Sequence, residues 1–246
     1  MSALSAPSPA GSWQEALRRG VCELALLPHP GKLAGSRLDL TDEHISSLER
    51  YLDLLLTRNR QVNLTAITDP REVAIKHFYD SLTCLAAIAP EAGAEVIDVG
   101  SGAGFPGAVL ALVRPDLRVT LLDSTRKVTA FLEELVGDLD LGNARVVRGR
   151  AEEYAKTEEG GGRFDLVVTR AAGGLVQVAK WCRGLLKEEG ELLLMKGPRG
   201  EQELAEAGPR LSRLGLAVSR VISLDLPEGA GGRRLIVLGR RVDRGE

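Results

Sequence analysis

The sequence predicts an α/β fold: a mostly parallel, seven-stranded β-sheet with an antiparallel last strand, preceded by an N-terminal helical extension. From Glu95 onward, short apolar runs alternate with amphipathic runs of helical length, which is typical of parallel strands covered by helices on both faces. A glycine-rich turn joins the first of these strands to its helix. The last two β runs are joined by a connection too short for a crossover helix, so they must pair antiparallel or lie apart.

The residues before the sheet predict helices. Thr41 is a candidate N-cap for one helix, and Asp69 followed by Pro70 predicts the start of another that runs to about Ile88. We divide the chain into a partly disordered extension (1–35), a helical preface (36–92) and an α/β domain (93–246).

Seven apolar runs of strand length define the expected sheet. In an open α/β sheet the ligand lies outside the carboxyl ends of the parallel strands, so the residues directly after each strand are candidates for a binding site. We expect the parallel strands at residues 96–99, 118–122, 144–148, 164–169 and 191–195, and the final pair at 218–224 and 234–238.

Composition and charge limit the possible functions. The 246 residues carry 32 Lys and Arg against 34 Asp and Glu, so any contact with nucleic acid requires a local basic patch. The three cysteines are widely spaced, which fits a reducing cytosol and favours neither a disulfide framework nor a metal site. No export signal or membrane-spanning run is evident, so we expect a cytoplasmic protein.

The glycine-rich turn contains two overlapping motifs. Gly102, Gly104 and Gly107 match the dinucleotide pattern G-x-G-x-x-G, whereas Asp98, Gly100, Gly102 and Gly104 match the D-x-G-x-G-x-G loop of enzymes that use S-adenosylmethionine (SAM). An acid before the glycines suits the cationic groups of SAM. A packing turn without a ligand is the alternative. The antiparallel tail favours the SAM-dependent methyltransferase (Rossmann-like) fold, because a classical dinucleotide-binding sheet stays parallel.

Acidic and small residues follow the next two strands. Asp123 ends the second strand about 20 residues beyond the glycines, where an acid accepts ribose hydroxyls; an ordinary cap before a helix is the alternative. Ser124 and Thr125 can present N–H groups to the same ribose or cap the helix. Ala151 and Glu152, after the third strand, would flank the adenine, although Glu152 alone is more often a surface acid.

Arg170 follows the fourth strand, where many methyltransferases carry a catalytic signature. The chain lacks the Asn/Asp-Pro-Pro-aromatic motif of amine methylation and the Pro-Cys nucleophile of pyrimidine-carbon methylation. A ring nitrogen such as guanine N7 needs no general base, because it loses no proton on methylation. Arg170 could read guanine or hold a phosphate; a structural ion pair with an acid such as Asp98 or Asp123 is the alternative. Phe105 could pack against the ligand or belong to the core.

Seven segments, in order and at similar spacings over residues 40 to 240, resemble the bacterial ribosomal RNA guanine-N7 methyltransferases, also called glucose-inhibited division protein B. No single segment is as specific as their combination. They are Asn63-Leu64-Thr65-Ala66-Ile67, His77-Phe78-Tyr79-Asp80-Ser81-Leu82, the turn from Asp98 to Gly107, Leu122-Asp123-Ser124, Arg150-Ala151-Glu152, Thr169-Arg170-Ala171 and Met195-Lys196-Gly197.

The resemblance implies methyl transfer from SAM to guanine N7 in a loop of 16S ribosomal RNA near the decoding centre. The expected partner is 16S rRNA or the small ribosomal subunit. We expect no metal, no membrane contact and a monomeric protein. The resemblance also implies Arg170 and Lys196 as catalytic residues. The implied cofactor contacts are Asp98, Gly100, Gly102, Gly104, Phe105, Asp123, Ser124, Thr125, Ala151, Glu152 and Arg170, and the implied substrate face is Asn63, His77, Lys127, Arg170, Lys196 and Arg199.

Several basic residues lie in the preface or near the carboxyl ends of strands, and their convergence would give the basic face that RNA requires; scattered solvated charge is the alternative. Other functions remain open at this point: a SAM methyltransferase of a small molecule or protein, a non-catalytic nucleic-acid-binding module on the same fold, and a nicotinamide oxidoreductase, which the tail disfavours. The basic residues are Arg58, Arg60, Lys76, Arg126, Lys127, Arg170, Lys196 and Arg199.

Overall fold

A computed structural model describes residues 11–24, 39–170 and 173–241 of the chain. Most of the extension in which we expect disorder therefore lies outside the described residues. Its helix is present as α1, Trp13–Leu24.

The helices of the preface begin at the predicted caps. α2 spans Asp42–Val62, and the Thr41 hydroxyl accepts a backbone N–H of its first turn at 3.2 Å. The Asp69 carboxylate accepts a backbone N–H at 2.9 Å where the next helical run begins. This run consists of α3 (Pro70–Val73), a π-helical turn (Ala74–Tyr79), α4 (Asp80–Leu82) and α5 (Cys84–Ala87).

The π-helical turn was not predicted, and it changes which carbonyl groups are bonded within the helix. The Asp80 N–H donates to the carbonyl oxygens of Ile75 and His77. In a regular α-helix it would donate to Lys76. The Lys76 carbonyl instead accepts a hydrogen bond from the Arg170 guanidinium at 3.0 Å. The π turn thereby links the preface to the end of the fourth strand.

Seven strands of the described chain form one sheet. They are β1 (Glu95–Val99), β2 (Arg118–Asp123), β3 (Ala144–Arg148), β4 (Phe164–Thr169), β5 (Leu186–Lys196), β6 (Leu216–Asp225) and β7 (Gly232–Arg240). Their spatial order is β3-β2-β1-β4-β5-β7-β6. β7 is antiparallel to both β5 and β6, whereas the remaining neighbouring pairs are parallel. The predicted mostly parallel sheet with an antiparallel last strand is confirmed.

Helices connect the parallel strands and cover the sheet. α6 and α7 lie on the same face as the preface, and α9 and α10 contribute to the apolar cluster on the other face. Tyr51 and Phe78 of the preface are fully buried in the same cluster as Leu121 of β2, so the preface and this face of the sheet share one core. The connecting helices are α6 (Gly107–Val113), α7 (Arg126–Asp138), α8 (Ala151–Tyr154), α9 (Leu175–Cys182) and α10 (Gly200–Arg213).

β5 begins earlier than predicted. We expected this strand to begin at residue 191, but α9 ends at Cys182 and the strand begins at Leu186. Phe164 pairs with Leu186 and Leu166 pairs with Glu191, so β5 bulges between these two positions. The charged residues of the bulge interrupt the apolar pattern, which is why the sequence hides the start of the strand.

Candidate cofactor and substrate site

The glycine turn between β1 and α6 is closely packed on one side and open on the other. Gly104 has a φ of 94°, and a Cβ there would overlap the Tyr51 hydroxyl. A Cβ at Gly107 would lie 2.6 Å from the Cβ of Asp98. A Cβ at Gly102, by contrast, would meet only a carbonyl oxygen of the turn, at 3.9 Å, among the described atoms. Packing explains Gly104 and Gly107, and the turn leaves space for a ligand beside Gly102.

Asp98 lies beneath this turn with its side chain fully buried. Its Oδ2 accepts the Gly107 N–H at 2.8 Å, while Oδ1 has no hydrogen-bond partner among the described residues. Burial raises the pKa of the Asp98 carboxyl to about 7, and the Gly107 N–H, the Ser101 hydroxyl and the charge of Arg170 oppose that shift. A buried acceptor without a donor is costly, so this oxygen fits a cationic or hydrogen-bonding ligand.

Asp123 connects the glycine turn to the end of β2. Its Oδ2 accepts the Gly102 N–H at 3.1 Å, and its Oδ1 accepts the Thr125 N–H at 2.8 Å. Gly100, with a φ of 73°, donates to the carbonyl oxygen of Leu122 at 2.8 Å. The carboxylate is half-buried, and each of its oxygens keeps acceptor capacity beyond these bonds. Asp123 therefore organises the turn and can still accept ribose hydroxyls.

The remaining candidates for cofactor contact lie at the same edge of the sheet. Ser124 and Thr125 are exposed just before α7; Thr125 occupies the cap position, but its hydroxyl makes no capping bond. Ala151 is buried at the first position of α8, and Glu152 beside it is half-buried. The structure thus brings the residues that follow β1, β2 and β3 to one edge, as predicted.

The Phe105 side chain belongs to the core. It is 3% exposed and stacks with two rings: the His77 imidazole, with centroids 4.5 Å apart and planes at 17°, and the Tyr51 ring, at 5.3 Å and 12°. The Arg170 guanidinium carbon lies over the Phe105 ring, 5.2 Å from its centroid. Of the two roles left open by the sequence, the structure places the ring in the core, where it supports His77 and Arg170.

Arg170 is held by groups of the preface. Its Nη1 donates to the Lys76 carbonyl oxygen at 3.0 Å and to Asp80 Oδ2 at 3.1 Å, and its Nη2 lies 3.2 Å from His77 Nδ1. Arg170 does form the structural ion pair that we considered as the alternative, but its acid is Asp80 rather than Asp98 or Asp123. A guanidinium has five N–H donors, and the contacts with described residues engage at most three of them. The Nε–H and at least one Nη2–H are left for a ligand.

His77 is buried beside Arg170 and neutral at physiological pH. Burial and the positive charge of Arg170 lower its pKa to about 3. Its Nε2 lies 2.8 Å from the Thr65 hydroxyl. Its Nδ1 lies 3.2 Å from Arg170 Nη2 and 3.0 Å from the Lys76 carbonyl oxygen; the guanidinium can only donate and the carbonyl can only accept, so these two contacts suit opposite tautomers of the ring. His77 thus acts on Arg170 rather than facing open solvent.

The predicted substrate residues differ in their exposure and in whether their polar groups already have partners within the protein. The Lys196 ammonium donates to the Gly173 carbonyl oxygen at 2.5 Å and lies 3.1 Å from Glu203 Oε2. Asn63 is exposed at the end of α2 with a φ of 54°, a left-handed conformation that Asn tolerates at a helix C-terminus. Lys127 and Arg199 are exposed at the starts of α7 and α10.

Half of the predicted basic face is neutralised by ion pairs within the protein. Arg58 pairs with Glu134 at 2.5 Å and Lys76 with Glu72 at 2.5 Å, in addition to the pairs of Arg170 and Lys196 described above. The other four of these eight residues are exposed and make no ion pair with described residues: Arg60, Arg126, Lys127 and Arg199.

Sequence reasoning missed three residues of this site: Asp80, Tyr51 and Arg233. Asp80 stood inside one of the matching segments but received no role. Its carboxylate is fully buried, and Arg233 of β7 donates to both of its oxygens, at 2.6 and 3.0 Å. No local pattern marks Arg233, because its partner lies 153 positions earlier in the chain. Tyr51 is likewise joined to the glycine turn only by the fold.

Other features of the described chain lie away from this edge. A cleft of about 380 Å³ opens at the amino ends of the strands, between Glu95, Arg118, Asn143 and Arg163. No cluster of three or more His, Cys, Asp or Glu side chains suitable for a metal ion occurs among the described residues. No helix within residues 11–24, 39–170 or 173–241 has the length and apolarity needed to cross a membrane.

Comparison with known sequences decides the family. Residues 44–231 match the profile of the family described as rRNA small subunit methyltransferase G. The chain belongs to this family. A ribosomal RNA small subunit methyltransferase G from Pelotomaculum thermopropionicum is 41% identical over 203 residues, which cover 82% of this chain and 84% of the relative. The protein of the same name from Symbiobacterium thermophilum is 39% identical over 237 residues, covering 94% and 91%.

Solved structures show that this member of the methyltransferase G family has the SAM-dependent methyltransferase fold. A SAM-dependent methyltransferase from Aquifex aeolicus superposes with a TM-score of 0.52 at 22% identity, covering 69% of this chain and 93% of the other. A ribosomal protein L11 methylase from Lactobacillus delbrueckii superposes with a TM-score of 0.52 at 14% identity, covering 68% and 79%. The predicted Rossmann-like methyltransferase fold is confirmed.

Proposed function

We propose that the protein transfers a methyl group from SAM to N7 of a guanine in the decoding-region loop of 16S rRNA. It would act as a cytoplasmic monomer, on the free RNA or on the small ribosomal subunit. The observation that carries the proposal is the arrangement of Asp98, Asp123 and the open side of the glycine turn next to Arg170, in a chain that belongs to the methyltransferase G family.

The residues of the glycine turn fit SAM. The unpartnered Asp98 Oδ1 is a buried acceptor suited to a cation, Asp123 has acceptor capacity for two ribose hydroxyls, and the space beside Gly102 admits a ligand close to the backbone. Ala151 and Glu152 would flank the adenine. When bound, SAM supplies a methyl group on a positively charged sulfur, which a neutral ring nitrogen can accept.

The other residues would align the guanine. N7 carries an exposed lone pair and loses no proton, so the site requires no base and alignment is the main contribution of the protein. The two remaining N–H donors of Arg170 suit guanine O6 or a backbone phosphate; a bond to N7 itself would block the methyl group. Arg60, Arg126, Lys127 and Arg199 would contact phosphates, with Asn63 and Lys196 nearer the base.

The test is to incubate the purified protein with methyl-labelled SAM and with small ribosomal subunits or protein-free 16S rRNA. Borohydride and aniline treatment cleaves RNA at 7-methylguanosine and thereby maps the modified base. We expect label at one guanine of the decoding-region loop. Label in protein, label at another RNA atom, or SAM binding without any methyl transfer would each contradict the proposal.

Arg170→Ala provides the matched variant. We expect it to lose methyl transfer far more than stability, because Asp80 retains Arg233 as a partner. Arg118→Ala is the control, since Arg118 is also an ion-paired arginine but lies at the amino end of β2. Equal rates for wild type and Arg170→Ala would exclude a role for Arg170 in substrate alignment.

A further inference from the structure

Asp80 is a buried carboxylate, and burying such a charge is costly unless the charge is paired. It is fully buried at the start of α4, and it is shared by two guanidinium groups from distant parts of the chain. Arg233 donates through Nε to Oδ1 and through Nη2 to Oδ2, while Arg170 donates through Nη1 to Oδ2. Breaking such a buried pair leaves an uncompensated charge, so the arrangement strongly constrains all three side chains.

From this geometry we infer that Asp80 is the positioning residue for Arg170, and that Arg233 is its counterpart in the antiparallel tail. The inference rests on the proposed function, because it concerns how Arg170 meets the RNA. Asp80 itself does not touch the reacting atoms. It holds Nη1 of the guanidinium against the preface and leaves the Nε–H without a hydrogen-bond partner among the described residues.

Four groups together contact the Arg170 guanidinium. Asp80 and the Lys76 carbonyl, which the π turn leaves available, take both protons of Nη1. His77 Nδ1 lies 3.2 Å from Nη2, and the guanidinium carbon lies 5.2 Å from the centroid of the Phe105 ring. The carboxylate is the only ionised partner of Arg170 within the described chain, so its removal should release the guanidinium more than loss of any neutral partner.

Arg233 connects the antiparallel strand β7 to the site at the carboxyl ends of the parallel strands. β7 inserts beside β5, and Arg233 at its start reaches the preface rather than the sheet face. With Arg233 on the opposite side, the Asp80 carboxylate cannot rotate freely toward Arg170. The tail and the preface therefore act together on the residue that follows β4.

NMR signals of the arginine side chains test the inference directly. In protein labelled with [¹⁵N]arginine, a held guanidinium gives side-chain N–H signals that exchange slowly with water; Arg170→Lys assigns those of Arg170. We expect Asp80→Asn to remove the Arg170 signals, and Asp116→Asn, which breaks an Arg–Asp pair at the other edge of the sheet, to leave them unchanged. Persistence of the Arg170 signals in folded Asp80→Asn would overturn the inference. This readout does not depend on activity.

Methyl-transfer kinetics with small ribosomal subunits as substrate separate a positioning role of Asp80 from a general effect on stability. We expect Asp80→Asn to lower kcat at least about tenfold, with the SAM dissociation constant within about twofold of wild type. In an Arg170→Ala background, Asp80→Asn should add no further loss, because it acts through Arg170. Losses that multiply in the double variant would overturn the inference. An inactive wild-type protein would contradict the proposed function instead, and the arginine signals would still test Asp80.

Asp80→Glu is the second variant should Asp80→Asn fail to fold. It keeps the charge in the buried site but displaces the carboxylate by one methylene group. We expect a folded protein with altered Arg170 signals and reduced kcat. Wild-type signals and a wild-type rate would contradict a positioning role.

Discussion

The hydroxyl of Tyr51, on helix α2 of the preface, donates a hydrogen bond of 2.6 Å to the carbonyl oxygen of Ala103, in the middle of the glycine turn. Tyr51 is fully buried, and burial raises the pKa of its hydroxyl well above the usual value. The proton therefore stays on the oxygen and the bond persists at any physiological pH. The preface thus supports the glycine turn directly through this hydrogen bond.

Replacing Tyr51 by Phe isolates this hydrogen bond, because the aromatic packing against Phe105 and Phe78 is retained. The Ala103 carbonyl would lose a buried partner, so we expect the free energy of unfolding to fall by about 1–3 kcal/mol. We also expect weaker SAM binding, because the turn is less constrained. Urea unfolding and calorimetry measure the two effects; an unchanged SAM affinity would show that the turn keeps its shape without Tyr51.

Gly107→Ala should disturb the turn through its side chain alone. Its methyl group would meet Asp98 Cβ at 2.6 Å and Leu121 Cδ2 at 2.5 Å, so neighbouring groups must move. We expect a loss of about 1–3 kcal/mol in unfolding free energy together with weaker SAM binding. Gly137→Ala is the matched control: Gly137 lies in helix α7 with open space around it, and alanine should stabilise the helix by up to about 1 kcal/mol. Equal behaviour of the two variants would refute the packing argument.

The sequence predicted the sheet well, because its signals are local. Alternating apolar runs, the glycine turn and the short connection before β7 each lie within a few neighbouring residues, and together they predict the strands and their directions. The Thr41 and Asp69 caps are local for the same reason. Local signals fail where a charged bulge interrupts a strand, as at the start of β5.

The partners of the site residues were not predictable in this way. The sequence identified Arg170 from its place after β4, but its acid partner Asp80 lies 90 positions away on another element. The π turn that exposes the Lys76 carbonyl has no simple sequence pattern, and the fold alone brings Arg233 to the same carboxylate. Sequence patterns thus indicated which residues face the ligand, whereas the residues that hold them appear only in three dimensions.

Asp123→Ala should weaken SAM binding without unfolding the protein. The carboxylate accepts the Gly102 and Thr125 N–H groups, and both lie near the surface, where water can replace it. We expect a stability loss of about 1–2 kcal/mol and a rise of at least about tenfold in the SAM dissociation constant. Asp53→Ala, which removes an exposed carboxylate from helix α2, serves as the control. An unchanged dissociation constant by calorimetry would reject the ribose contact.

His77 should make the protein sensitive to acid. Its pKa is about 3 in the folded state and about 6.5 when unfolded, so between these values only the unfolded chain takes up the proton. The free energy of unfolding therefore falls as pH drops through this window, by about 1.4 kcal/mol per pH unit. Asp98 acts in the opposite direction over part of the window, because its pKa is raised.

The contribution of His77 to stability is therefore measured as the difference in unfolding free energy between wild type and His77→Gln. We expect His77→Gln to be less stable than wild type near pH 7.5, with the gap narrowing as the pH falls to about 5. Urea unfolding at several pH values gives this gap directly. A gap that does not change with pH would mean that His77 titrates alike in the folded and unfolded states.

SAM binding should itself depend on pH through Asp98. With a pKa of about 7, the buried carboxyl is close to half protonated at neutral pH before SAM binds. A cationic ligand near Oδ1 favours the carboxylate, so binding should release protons and affinity should rise with pH between about 6 and 7.5. Calorimetry in buffers of different ionisation enthalpy counts the released protons. Asp98→Asn cannot release one, so its affinity should be lower and nearly independent of pH over that range. A wild-type affinity that is equal at both ends of the range would mean that the Asp98 carboxyl keeps its protonation state when SAM binds, and that the cation lies elsewhere.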